Sequence, residues 1–218
     1  MNKQQLASLI WNTCDDLRGS ISAVEYKDVI LGLIFYRFVS EKEITELKKQ
    51  DWTEEAMAEE LNEEDAETIQ WCKEHLGYFI AYENLFPTWM HNLEGSFSVA
   101  DVTKALNAFI RNTDSKADHQ KLYKDIFKSL SEKLTKIGSI SEQTSHLKKV
   151  FKVVNRIPMD EHRGYDVLGF IYEYLLKNFA SNSKKDGEFY TPHEISVLMS
   201  EIIAHHLRDR EQINILDP

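Results

Sequence analysis

The chain predicts a mainly α protein: a helical N-terminal domain over residues 1–160, followed by the first helices and first strand of an α/β domain over residues 161–218. Three observations carry this. From Leu6 to Val154 the apolar residues recur at helical spacing. Pro158 and Gly164 then break the pattern and mark the boundary. Finally Ile213-Asn214-Ile215-Leu216, followed by Asp217 and Pro218, reads as a strand of the kind that opens a nucleotide-binding sheet.

Leu6, Leu9, Ile10, Cys14 and Leu17 lie on one helix face that ends at Gly19. Ser22 and Glu25 make a capping box for a second helix, and Tyr26 to Val39 is apolar on nearly every face, which predicts a central, buried helix. Trp52 to His75 reads as acidic helices, and the acidic residues gathered in Glu54 to Glu67 read as a solvated helical surface, an acidic docking face being the alternative. A short extended piece, Gly77-Tyr78-Phe79-Ile80, precedes Pro87. Tyr78, Phe79, Tyr82, Phe86 and Trp89 have no flanking cations, so they read as core rather than as a platform for stacking bases. Three helices follow: one opened by Ser98 and Asp101 and carrying Val102, Leu106, Phe109 and Ile110, one marked by Leu122, Ile126, Phe127 and Leu130, and one by His146, Leu147, Val150, Phe151 and Val154. After the boundary, Val167, Leu168, Ile171, Tyr172, Leu175, Leu176 and Phe179 form an amphipathic helix expected to pack on the sheet of the second domain. Ser181 to Gly187 reads as a flexible connection or a lid.

Composition narrows the function classes. With 218 residues and 42% hydrophobic content the chain can bury a sizeable core. The apolar run Val29 to Tyr36 is far short of a membrane span and no signal peptide precedes it, so a cytoplasmic protein is expected. Cys14 and Cys72 have neither disulfide nor zinc spacing and read as packing residues. His193, His205 and His206 do not form a ligand set. A net charge of −10 predicts weak binding to duplex DNA at physiological salt. Tight binding would require Arg18, Lys27, Arg37, Lys148, Lys149 and Lys152 to converge in space.

In the tail, Thr191 suits an N-cap, Pro192 suits the first helical position, and Glu194 completes a capping box for a helix running to about Leu207. Such a helix start offers free amide donors to a carboxylate, and Phe189 and Tyr190 offer faces to an apolar or cationic group. Taken alone, Thr-Pro-X-Glu is mostly a structural cap.

Asp166 to Phe179, Gly187-Glu188-Phe189-Tyr190-Thr191-Pro192 and Leu216-Asp217-Pro218, together with Leu17 to Ala23 and Glu25 to Phe35, resemble the modification (M) subunit of type I restriction-modification DNA methyltransferases. The resemblance covers both ends, and the middle, from Glu41 to Asn155, is only loosely similar. It implies the start of a Rossmann-like α/β methyltransferase domain and an intact parent that moves a methyl group from S-adenosyl-L-methionine to adenine N6 in DNA. The cofactor-binding residues it implies are Glu188, Phe189, Tyr190, Thr191, Pro192, His193, Asp217 and Pro218. Thr191 would meet the methionine end, and Tyr190 would line the pocket. The family's glycine-rich turn and its catalytic Asn-Pro-Pro-aromatic motif do not occur in these residues, so a fragment without methyl transfer of its own is expected. The implied partners are duplex DNA, a specificity subunit, a restriction subunit and a second M subunit, with the helical domain helping to clamp DNA. The rival reading is an independent helical protein-interaction domain in which Thr191-Pro192 is only a cap.

Overall fold

The computed structural model describes residues 3–16, 23–114, 119–159, 169–171, 173–175, 191 and 193–210. The chain divides into two units, Met1–Phe179 and Ala180–Pro218. In the first, α1 (Lys3–Asp16), α2 (Ala23–Lys49), α3 (Glu54–Glu60) and α4 (Ala66–Leu76) are followed by a 3-10 turn at Tyr82–Asn84. Then come α5 (Phe86–Asn92), α6 (Val99–Arg111), α7 (His119–Leu134) and α8 (Ile140–Arg156). The second unit holds α9 (His193–Leu207). Among the described residues there is no strand; the expected strand at 213–216 lies outside them.

The centre of the first unit is α2, about 40 Å long at 1.5 Å per residue. It packs against α5, α7 and α8. Val29, Ile30, Leu33, Ile34, Tyr36 and Val39 are buried around it, as their all-round apolar pattern requires. The helix continues ten residues past Val39, because Glu41 to Lys49 is rich in helix-forming Glu and Lys and still turns Leu47 inward. Ser22, and with it the expected capping box, lies outside the described residues.

A row of polar groups on α2 secures the connection between α4 and α5. Gly77, at φ 83°, ends α4 in the left-handed conformation that glycine adopts without a Cβ penalty. The chain then runs through buried Tyr78, Phe79, Ile80 and Ala81, whose backbone needs partners. Glu43 Oε1 accepts from the Ile80 amide at 3.0 Å. Ser40 Oγ accepts from the Phe86 amide at 2.8 Å, and the Tyr36 hydroxyl donates to the Asn84 carbonyl at 2.9 Å. In return the Tyr78 hydroxyl donates to the Val39 carbonyl at 3.0 Å. Residues 36, 40 and 43 share one helix face, so a single stripe of α2 does this work.

The aromatic residues 78–89 are core, as the sequence predicts. Tyr36 stacks on Trp89 at 4.8 Å between ring centroids, and Phe86 stacks on Phe151 at 5.1 Å. Phe109 meets Phe127 edge-on at 4.9 Å, tying α6 to α7. Asp101 accepts from the Ser98 amide at the start of α6, and Glu142 accepts from the Ser139 amide at the start of α8. Cys72 is a fully buried packing residue; burial pushes its thiol up. Cys14 has no described side chain. Residues 169–171 and 173–175 are helical, and Ile171 and Leu175 are fully buried in this same helical core. The sequence assigned their amphipathic face to a sheet; the helical unit also supplies an apolar surface of the required kind.

Candidate functional site

The second unit places Thr191 exposed and outside helix, two residues ahead of the first residue of α9. That is the start point expected from Thr191-Pro192, within a residue. The first amides of such a helix have no partner within it and carry partial positive charge. His193 is helical. The side chains of His193 and Glu194, and all of Glu188, Phe189, Tyr190, Pro192, Asp217 and Pro218, lie outside the described residues. Along α9, Ile195, Leu198, Met199, Ile202 and Ile203 occupy one broad face and are exposed.

In the first unit, the six cations that would have to converge on DNA do not behave alike. Arg37 is buried: Nη1 donates to the Val154 and Ile157 carbonyls at 2.5 and 2.7 Å, and Nε pairs with Glu41 at 2.6 Å. It serves the end of α8 and is unavailable to a phosphate. Lys148, Lys149 and Lys152 do share one face of α8, and Arg156 joins them on it. Arg18 and the side chain of Lys27 lie outside the described residues. No helix among the described residues is long and apolar enough to cross a membrane.

The family model described as the HsdM N-terminal domain matches residues 6–154, more than half of the chain. The chain belongs to that family. A second model, N-6 DNA Methylase, matches residues 163–218, directly after the HsdM N-terminal domain. The chain is 27% identical over 209 residues to the type I restriction enzyme MpnII methylase subunit of Mycoplasma pneumoniae, covering 88% of this chain and 38% of that protein. It is also 27% identical over 232 residues to the MjaVIII methylase subunit of Methanocaldococcus jannaschii, covering all of this chain and 34% of that one. The solved type I restriction-modification methyltransferase subunit of Streptococcus thermophilus superposes with a TM-score of 0.69 at 28% identity, covering 93% of this chain and 44% of that one. The chain therefore spans between about a third and two fifths of the length of the curated relatives it matches.

Proposed function

We propose that the chain is the N-terminal part of the modification subunit of a type I restriction-modification system, organised as a helical module over residues 1–160 and the opening of a methyltransferase domain over 161–218. The intact subunit transfers a methyl group from S-adenosyl-L-methionine to adenine N6 in DNA. The helical module helps to clamp the duplex and to assemble the subunit with a specificity subunit, a restriction subunit and a second copy of itself, in the cytoplasm. The observation that carries this reading is the order of the two family matches, an HsdM N-terminal domain followed at once by an N-6 DNA Methylase segment. A helical interaction module alone does not account for the second match.

The residues around the start of α9 fit the donor. S-adenosyl-L-methionine combines a carboxylate with a cationic centre, and supplies the methyl group when bound. Exposed Thr191 sits at the helix start, where its hydroxyl or the neighbouring amides receive the carboxylate. Glu188, Phe189, Tyr190, Pro192 and His193 form the rest of that segment, and Asp217 and Pro218 open the next cofactor motif. The experiment that tests the reading is methyl transfer from labelled cofactor to duplex DNA by the full-length subunit assembled with its specificity subunit. Label recovered as N6-methyladenine supports it; label on cytosine, or none in the DNA, refutes it.

A further inference from the structure

The net charge of −10 conceals a division within the helical unit. Residues 1–114 carry twenty-one Asp and Glu against ten Lys and Arg, whereas residues 119–156 carry three against nine. The clearest surface of this kind is on α8. Leu147, Val150, Phe151 and Val154 are buried along one side. On the other side, Lys148, Lys149, Lys152 and Arg156 fall within an arc of about 100°. Lys149, Lys152 and Arg156 are exposed and Lys148 is half-buried. Exposed helix faces that serve only solubility usually mix both signs at three- and four-residue spacing. Here no Asp or Glu follows Glu142 anywhere along α8. Lys148, Lys149 and Arg156 make no ion pair among the described residues, and Lys152 meets Glu94 Oε1 at 2.5 Å.

We propose that this face of α8 lies along one phosphate backbone of duplex DNA. The inference rests on the reading of the helical module as part of a DNA clamp and names the surface that performs it. From residue 148 to residue 156 the stripe extends about 12 Å at 1.5 Å per residue. A duplex strand carries one charge for roughly every 3.4 Å of its axis and more length than that along its winding path, so a stripe of this size meets a few successive phosphates. Contacts of this kind position a protein without reading sequence. Glu94 competes with the phosphate for Lys152, and its carboxyl is held below the usual range by Lys152, with Lys148 adding to the effect.

The test is anisotropy titration of labelled duplexes of unrelated sequence with the 218-residue chain over a range of salt, beginning at low salt, where phosphate contacts are strongest. Replacing both Lys148 and Lys149 by Gln should weaken binding alike on every duplex and flatten the slope of log K against log salt by about 1.8, at about 0.9 per phosphate contact. Glu94→Gln should act in the opposite direction and tighten binding about two- to fivefold, since it frees Lys152. Lys42→Gln, which removes an exposed charge from α2, should leave the slope unchanged. An unchanged slope in the double variant, or an equal effect from Lys42→Gln, overturns the proposal while the clamp reading stands. Unchanged duplex binding with lost capture of the specificity subunit gives the stripe to a protein partner and overturns it too. Absence of binding at the lowest salt overturns it as well, and leaves methyl transfer to be judged by its own labelled-cofactor experiment.

Discussion

The guanidinium of Arg37 supplies the hydrogens that the last turn of α8 lacks, and it does so from inside the core. Replacing Arg37 by Met leaves two carbonyls and Glu41 without their donor and should lower stability by about 3 kcal/mol in urea unfolding. Lys at the same position keeps the charge but loses the planar fork, and should recover only part of that loss. Glu43 is a different case, because it is fully buried with Oε2 unpartnered among the described residues. Burial raises its carboxyl well above the usual value of 4.5, and the Ile80 amide offsets this only in part. An acid whose folded-state pKa is raised binds its proton more tightly in the folded state, so its contribution is whole below 4.5 and is lost as pH rises toward the folded value. Glu43→Gln keeps an acceptor for Ile80 and has nothing to ionise. It should therefore gain on the parent protein above pH 4.5 by up to about 1.4 kcal/mol per pH unit, measured as the difference between paired urea curves. At Thr191 the question is the ligand. In the full-length subunit Thr191→Ala should raise the dissociation constant for S-adenosyl-L-methionine about tenfold, equivalent to 1.4 kcal/mol, with little change in the ligand-free melting temperature. Loss of about 1 kcal/mol of stability at unchanged affinity in calorimetric titration would return Thr191 to the status of a cap.

Between elements, α2 and α7 approach closely at Gly32. A Cβ built on Gly32 would stand 3.1 Å from Leu130 Cδ2 and 3.2 Å from its Cβ, closer than side chains normally pack. Gly32→Val should cost about 2 kcal/mol in thermal or urea unfolding through overpacking. Leu130→Ala in the same background should give part of that back, the coupling expected of residues in contact. Elements of this kind were legible in the sequence where local periodicity determines them. The burial of Val102, Leu106 and Phe109 on α6, and of Leu147, Val150, Phe151 and Val154 on α8, follows directly from apolar spacing. The start of α9 beside Thr191 was legible from Thr-Pro. What was not legible depends on partners distant in sequence. In the sequence Arg37 is one of six cations available to DNA, because the carbonyl partners that bury it lie 117 and 120 residues away. Glu43 lies in a Glu- and Lys-rich stretch with nothing local to mark it as buried, since its partner is 37 residues on. The α8 stripe is half visible in the sequence: Lys148, Lys149 and Lys152 lie close together, but the whole-chain net charge averages over the sign change between the two segments.

For the molecule as a whole, methyl transfer requires donor and target base to be held together, and the chain contains no Asn-Pro-Pro-aromatic motif to orient an adenine. The 218-residue chain alone should therefore leave duplex DNA unlabelled in an assay with labelled cofactor; incorporated label would refute the assignment of catalysis to that motif. The pairing of Arg37 with the end of α8 also bears on how the helical unit comes into being. Translation at about 5–20 residues per second puts roughly 6–24 s between the appearance of Arg37 and that of its last acceptor, Ile157. Throughout that interval the central helix α2 has been made, while Phe151, Val154 and the carbonyls that accept from its buried guanidinium have not. Because α5 and α7 precede α8 in the chain and both pack on α2, the side of α2 that carries Arg37 is the last of these faces to close during synthesis.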